Sequence, residues 1–267
     1  ALGDSTGGIS RGAVYVLFMD ANGTVKSSRK IASSTNGGPA LHDINFFGNA
    51  VTSVGDLDGD GIQDLAVGAA ADNTGGSARG AVYVLFMNAS GTVKSSRKIA
   101  SGTSGAPTLA NEDFFGSSVA FIGDLDRDGV FDLAVGSEGN DTGGSNRGAV
   151  HVLFLNENGT VKSSVKIASN TGGGPTLANG DAWSRVKGLG DVDGDGVTDL
   201  AVGASGDDTG GSNRGAVYVL FMNANGTVKS IQKIASGMNG GPTLANSDGF
   251  GSSVAFAGDL DGDGIFD

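Results

Sequence analysis

The sequence predicts an all-β fold built from tandem repeats. Three observations carry that reading: a period of about 68 residues, short strand signals separated by glycine turns, and no segment with a 3.6-residue apolar rhythm. Arg11, Arg79, Arg147 and Arg214 lie 68, 68 and 67 residues apart, and Pro39, Pro107, Pro175 and Pro242 repeat those spacings. The repeat covers all 267 residues, with units at approximately 1–47, 48–115, 116–183, 184–250 and 251–267, partial at both ends. Ala1 aligns with Ala69 and Asp267 with Asp64, the two sides of Leu65-Ala66-Val67-Gly68. The expectation is four repeats cut within a unit, continuing in a longer chain or in self-association with other copies.

The second repeat shows the elements in order. Asp64 to Ala69 reads as a short buried strand and Gly80 to Asn88 as a longer one. In the longer strand Val82, Val84 and Phe86 share one face and Tyr83 and Leu85 the other, so the sheet should be covered on both sides. A turn at Ala89-Ser90-Gly91-Thr92 leads to Val93–Ala100, whose Lys94, Ser95, Ser96, Arg97 and Lys98 suit an outer edge guarded by charge. Phe115 to Asp124 supplies the fourth strand type. Glycine makes up 49 residues and proline only 4, which fits many tight turns and neither a collagen-like nor a proline-rich linker composition.

Charge points to a partner class. Lys plus Arg number 17 against 29 Asp plus Glu, a formal net charge of −12, which argues against nucleic acid and anionic membrane surfaces. No run approaches 18 apolar residues, so no membrane insertion is expected. With no cysteine, neither a disulfide framework nor a thiolate metal site can form.

The acid is concentrated in four copies of DxDxDGxxD. The first has Asp56, Asp58, Asp60 and Asp64, and the second Asp124, Asp126, Asp128 and Asp132. The third has Asp191, Asp193, Asp195 and Asp199, and the fourth Asp259, Asp261, Asp263 and Asp267. Carboxylates at positions 1, 3 and 5 converge when the chain coils about a point, and the glycine at position 6 permits the turn. Position 7 offers a carbonyl oxygen from Ile62, Val130, Val197 or Ile265 while its side chain enters the core. Position 9 adds further oxygens. An all-oxygen, flexible cage favours calcium over magnesium, so about one Ca2+ per repeat, four in total, is expected. Four such ions would carry +8 and bring the formal charge from −12 to about −4. The loop is not an EF-hand, because position 12 is Val67 rather than a glutamate and the flanks are strands.

The order Phe47-Gly48, then GDLDGDGIQDLAVGAA from Gly55, then Gly80-Ala81-Val82-Tyr83-Val84 resembles the FG-GAP repeat of integrin α-subunit β-propellers and of bacterial secreted proteins. The resemblance runs through all four repeats. It implies a four-stranded blade per repeat, a calcium loop between the first two strands, an extracellular or cell-surface setting, and a role in adhesion or scaffolding. Two departures stand out. Trp183-Ser184 replaces Phe-Gly in the third repeat, where one residue is also missing before Gly190, and Gly68-Ala69-Ala70 stands where the family has its GAP tripeptide. Four repeats leave both a β-propeller-like arrangement and an open or filamentous β-repeat stack available.

Other residues are read more plainly. His42 and His151 replace Ala and Tyr of sister repeats and belong to no catalytic motif, and Trp183 reads as a repacked core position. The TGGSxRG loops lack GK[ST], so Arg79 and its equivalents are expected to pair with local acid rather than to cradle phosphate. Sequons at Asn22, Asn88, Asn140, Asn158 and Asn225 read first as turn chemistry.

The function expected is that of a calcium-binding extracellular structural or adhesion repeat protein that assembles into a polymer or filament. The alternative is a ligand-binding module for a protein or glycan, with Trp183, Arg185 and Lys187 as the surface that differs between repeats. A hydrolase or lyase ranks third and the chain is read as no enzyme, because an active site needs different residues converging from different units. Here symmetry breaks only around Asp181 to Gly190.

Overall fold

The computed structural model describes residues 1–262 and 264 of the 267. Its described residues contain strands and turns and no helix, so none is long and apolar enough to cross a membrane. β1 (Ala13–Met19) and β2 (Val25–Ala32) form a two-stranded sheet. Three antiparallel four-stranded meanders follow: β3 (Val51–Gly55) to β6 (Val93–Ala100) with β4 (Asp64–Ala69) and β5 (Ala81–Met87) between; β7 (Phe115–Phe121), β8 (Leu133–Ser137), β9 (Ala149–Leu155) and β10 (Val161–Ala168); and β11 (Arg185–Gly190), β12 (Asp199–Ala204), β13 (Ala216–Met222) and β14 (Val228–Ala235). In the fourth repeat, described residues 254–258 form no strand where β3, β7 and β11 stand in the others.

The faces read from the sequence are those that pack. Tyr83, Leu85 and Met87 of β5 meet Val14 and Ile31 of the first sheet. The opposite face of the same sheet, Val82, Val84, Phe86 and Ile99, meets Leu133, Val135, Leu153 and Leu155. Val150, Val152, Phe154 and Ile167 then meet Leu200, Val202, Tyr218, Leu220 and Met222. Each sheet thus offers one face backward and one forward, the stacking that two-sided apolar strands demand. β1 departs from the expectation. Its Tyr15, Leu17 and Met19 are 47%, 52% and 55% exposed, against 2%, 0% and 4% for Tyr83, Leu85 and Met87, because no described residue covers that face.

The inner strand β7 lies against β3 and β4 on one side and β11 on the other. Blades are also tied by the aromatic of the Phe-Gly pair: Phe115 N donates to Arg79 O at 3.0 Å, and Gly80 pairs with Phe115 in parallel fashion. Gly80 (φ +86°) is required there, since a Cβ would lie 2.1 Å from the Phe115 carbonyl oxygen. Phe47, Phe115 and Trp183 are fully buried and meet Tyr83, His151 and Tyr218 edge-on. Trp183 is therefore a core position, as its place in the sequence suggested.

β6, β10 and β14 are outer strands with exposed polar centres. Their hairpins close through Asn-x-x-Gly-Thr turns, in which Gly91 N donates to Asn88 O and Asn88 N to Thr92 O, both at 2.8 Å. In the Asn-Gly-Thr turns the Asn22, Asn158 and Asn225 side-chain oxygens accept from the backbone N–H two residues on, at 3.0 Å, which is turn chemistry. The expected pairing of Arg79 with acid is corrected. Arg11 does bind Asp43, but Arg79, Arg147 and Arg214 donate through Nε to the Oδ1 atoms of Asn111, Asn179 and Asn246. The amide oxygen fills the same acceptor position without a charge.

Candidate metal centre

The Asp loops join β3 to β4, β7 to β8 and β11 to β12. Each starts from its position-1 aspartate, whose carboxylate gathers the turn's own amides. Asp56 accepts from Asp60 N (3.0 Å) and Gly61 N (2.7 Å), and Asp124 from Asp128 N (2.9 Å) and Gly129 N (2.8 Å). Asp191 accepts from Gly194 N, Asp195 N and Gly196 N at 2.7–3.0 Å. Gly61 and Gly129 sit at φ +86° and +91° with open space around a would-be Cβ, so backbone conformation rather than crowding selects glycine there.

The position-9 aspartate locks the loop to the sheet. Asp64, Asp132 and Asp199 are 0–1% exposed. Each accepts one amide from its own loop (Leu57, Leu125 or Val192) and one from the neighbouring strand (Met87, Leu155 or Met222), at 2.9–3.1 Å. Burial still prevails over these bonds. It raises the pKa of all three, that of Asp132 to about 7, with nearby carboxylates adding to the rise.

One carboxylate oxygen from each of positions 1, 3 and 9 lies within 4.8 Å of the others: Asp56, Asp58 and Asp64; Asp124, Asp126 and Asp132; Asp191, Asp193 and Asp199. Within the second group, Asp126 Oδ1 is buried and has no hydrogen-bond partner. A carboxylate oxygen withdrawn from water beside two other carboxylates suits a hard cation. The position-7 side chains enter the core as expected: Val197 is buried, and Ile62 and Val130 pack against the neighbouring clusters.

The structure brings together fewer residues than the spacing suggested. Asp60, Asp128 and Asp195, at position 5, stand outside these oxygen groups. Their Oδ1 atoms accept from the N–H two residues on, at 2.9 Å, and their Oδ2 atoms bind Lys94, Lys162 and Lys229. Those lysines hold the pKa of the three aspartates down. In the fourth loop Asp259 likewise accepts from Gly262 N (2.7 Å) and Gly264 N (3.0 Å), while Asp263, Ile265 and Asp267 lie outside the described residues.

The FG-GAP repeat family model matches residues 47–85, 115–153 and 188–220, each segment holding one of these loops with the strands that follow it. The chain carries FG-GAP repeats. The third match begins only after Trp183-Ser184, where the FG-GAP pattern is broken. The chain is similar to integrin alpha-4 of Xenopus laevis (33% identity over 161 residues, 60% of this chain and 14% of that protein). It is also similar to integrin alpha-PS5 of Drosophila melanogaster (36% over 166 residues, 60% and 15%) and to integrin alpha-3 of Cricetulus griseus (30% over 207 residues, 73% and 17%). The aligned FG-GAP region thus spans less than a fifth of each of these relatives.

Two features of these FG-GAP loops escaped the sequence. Along the chain Lys94 reads as edge protection, and only the folded sheet shows it reaching the loop. Arg127 fills position 4, where the other loops have Gly59, Gly194 and Gly262, and donates to Gly196 O of the next loop at 2.9 Å. The residues named as a distinctive surface separate. Trp183 is buried, whereas Arg185 bonds Glu138 Oε2 (2.8 Å) and Ser117 O (3.1 Å) beside a cleft of about 400 Å³ that Phe46 and Phe114 also line.

Proposed function

We propose that the chain is a calcium-binding FG-GAP segment of an extracellular adhesive or structural protein, with no catalytic role. The observation that carries the calcium reading is the buried, unpartnered Asp126 Oδ1 inside a group of three carboxylates that recurs in three loops. Asp56, Asp58, Asp60 and Asp64, with the Ile62 carbonyl, would hold the first ion. Asp124, Asp126, Asp128, Val130 and Asp132, then Asp191, Asp193, Asp195, Val197 and Asp199, would hold the next two. Asp259, Asp261, Asp263, Ile265 and Asp267 form the fourth set in the sequence. Held by these residues, calcium would supply charge neutralisation; the residues' own part is to hold oxygens in place through the amide hydrogen bonds described above. Isothermal titration of chelator-stripped protein should show about one calcium per intact loop, with dissociation constants near 10⁻⁴ to 10⁻³ M and weak competition by magnesium. Absence of uptake at about 10 mM calcium would overturn the reading.

Self-association is supported by the uncovered face of Tyr15, Leu17 and Met19, whose counterparts elsewhere are closed by a sheet of the same kind. A face-to-face contact of that type between copies is heterologous and propagates. Sedimentation velocity in calcium should show concentration-dependent oligomers, and Leu17→Asp should abolish them. The cleft beside Arg185 supports the other reading, a protein or glycan ligand, for which Arg185→Ala should weaken surface adhesion without altering calcium uptake.

A further inference from the structure

In each of the three loops that lie wholly among the described residues, a lysine ammonium bridges the two carboxylates that the spacing assigns to metal positions 3 and 5. Lys94 Nζ binds Asp58 Oδ2 at 2.6 Å and also Asp60, Lys162 binds Asp126 at 2.7 Å and also Asp128, and Lys229 binds Asp193 at 2.6 Å and also Asp195. Each lysine is the second residue of an outer strand, β6, β10 or β14, and each lies 36 and 34 residues beyond its two partners. The side chains keep 36–38% of their surface exposed, so packing does not force them there.

We infer that Lys94, Lys162 and Lys229 are built-in competing cations: each neutralises its loop in the calcium-free state and must leave positions 3 and 5 when a divalent ion enters. The inference rests on the calcium reading and adds a regulator to it. Carboxylates gathered without a counter-ion would repel one another, and the tethered ammonium relieves that repulsion. The same ammonium opposes an incoming dication, both by occupying its ligands and by its own charge. The loop is thereby kept folded when empty and weak when filled, a combination suited to calcium in the millimolar range outside cells.

The first repeat contains the natural control. Lys26 aligns with Lys94 but has no Asp loop before it in this chain. Calcium is titrated calorimetrically into the full 267-residue chain, stripped of metal, as wild type, Lys26→Met and the triple variant Lys94→Met/Lys162→Met/Lys229→Met. The triple variant should bind calcium roughly tenfold more tightly, as expected for removing a unit charge a few ångströms from a dication. Its melting temperature in chelator should fall, and the rise on adding calcium should grow. Lys26→Met should bind as wild type does, and a triple lysine-to-arginine variant should keep the weak affinity. Unchanged or weaker binding by the triple methionine variant would overturn the inference while leaving the calcium reading intact. A wild type that takes up no calcium at all would instead overturn the calcium reading beneath it.

Discussion

His151 stands where sister repeats place Tyr83 and Tyr218, and the difference is chemical. Each tyrosine hydroxyl donates to a buried aspartate, Asp72 at 3.2 Å or Asp207 at 2.9 Å, which Lys98 or Lys233 also binds. In the third blade the aspartate is Asn140, and neither ring nitrogen of the buried His151 has a partner. Desolvation, with a smaller contribution from Lys166 opposite it on β10, lowers its pKa to about 3 from the ordinary 6.5. A lowered folded-state value means that the unfolded chain takes up the proton first, so this group's stability is full above pH 6.5 and is lost as pH falls toward 3. Urea unfolding of His151→Phe beside wild type should show the variant gaining about 2 kcal/mol relative to wild type between pH 7 and pH 5, a comparison that cancels the opposite contribution of the raised Asp132. The aspartates divide in the same way. Asp132→Ala leaves two buried amides unpaired and should cost about 3 kcal/mol even in chelator, whereas Asp128→Ala, on the exposed side of the loop, should cost under about 1 kcal/mol there. Thermal denaturation in EDTA separates the two.

At the scale of the strand, the sequence was most informative where periodicity and burial agree. Asp64–Ala69 and Val93–Ala100 form as read, and the alternation of Val82, Val84 and Phe86 against Tyr83 and Leu85 assigns each residue to the neighbour it touches. Legibility fell where a residue acts across the sheet. Lys94 looks like edge polarity along the chain, and its reach to Asp58 depends on how β6 registers with β5, a tertiary property. The gathering of carboxylates at positions 1, 3 and 9 was legible as a set, but the exclusion of position 5 from that group was not, because it depends on the folded turn. The stacking faces yield a direct comparison. Leu85→Ala, at 0% exposure, should cost about 2–5 kcal/mol, whereas Leu17→Ala, at the equivalent place but 52% exposed, should stay within about 1 kcal/mol in the monomer. Equal costs at low protein concentration would mean that the first sheet's outer face is covered.

For the molecule as a whole, stability should follow calcium. A site of about 10⁻⁴ M in about 10 mM calcium adds roughly 2.7 kcal/mol to the blade that holds it, so chelation should lower the melting temperature and magnesium should restore it poorly. Because each blade contacts its immediate neighbours, the loss should be local. Hydrogen exchange of Asp132→Ala should show deprotection centred on β7 to β10, with β13 and β14 largely unchanged. Uniform deprotection from β1 to β14 would indicate one cooperative body instead.

The sameness of the stacking faces also bears on the gene. β1 and β5 share the sequence AVYVLFM, and β2, β6, β10 and β14 each end in Ile-Ala followed by serine. Unequal recombination between such segments removes or adds material in steps of one blade, and every product meets its new neighbour through faces that already fit. Deleting residues 101–168 would join Ala100 to Ser169, recreating the Ala-Ser junction found after every outer strand. The shortened chain should express as a folded β protein, whereas a deletion of equal length shifted by half a blade should not. Heredity can therefore lengthen or shorten this molecule without redesigning it.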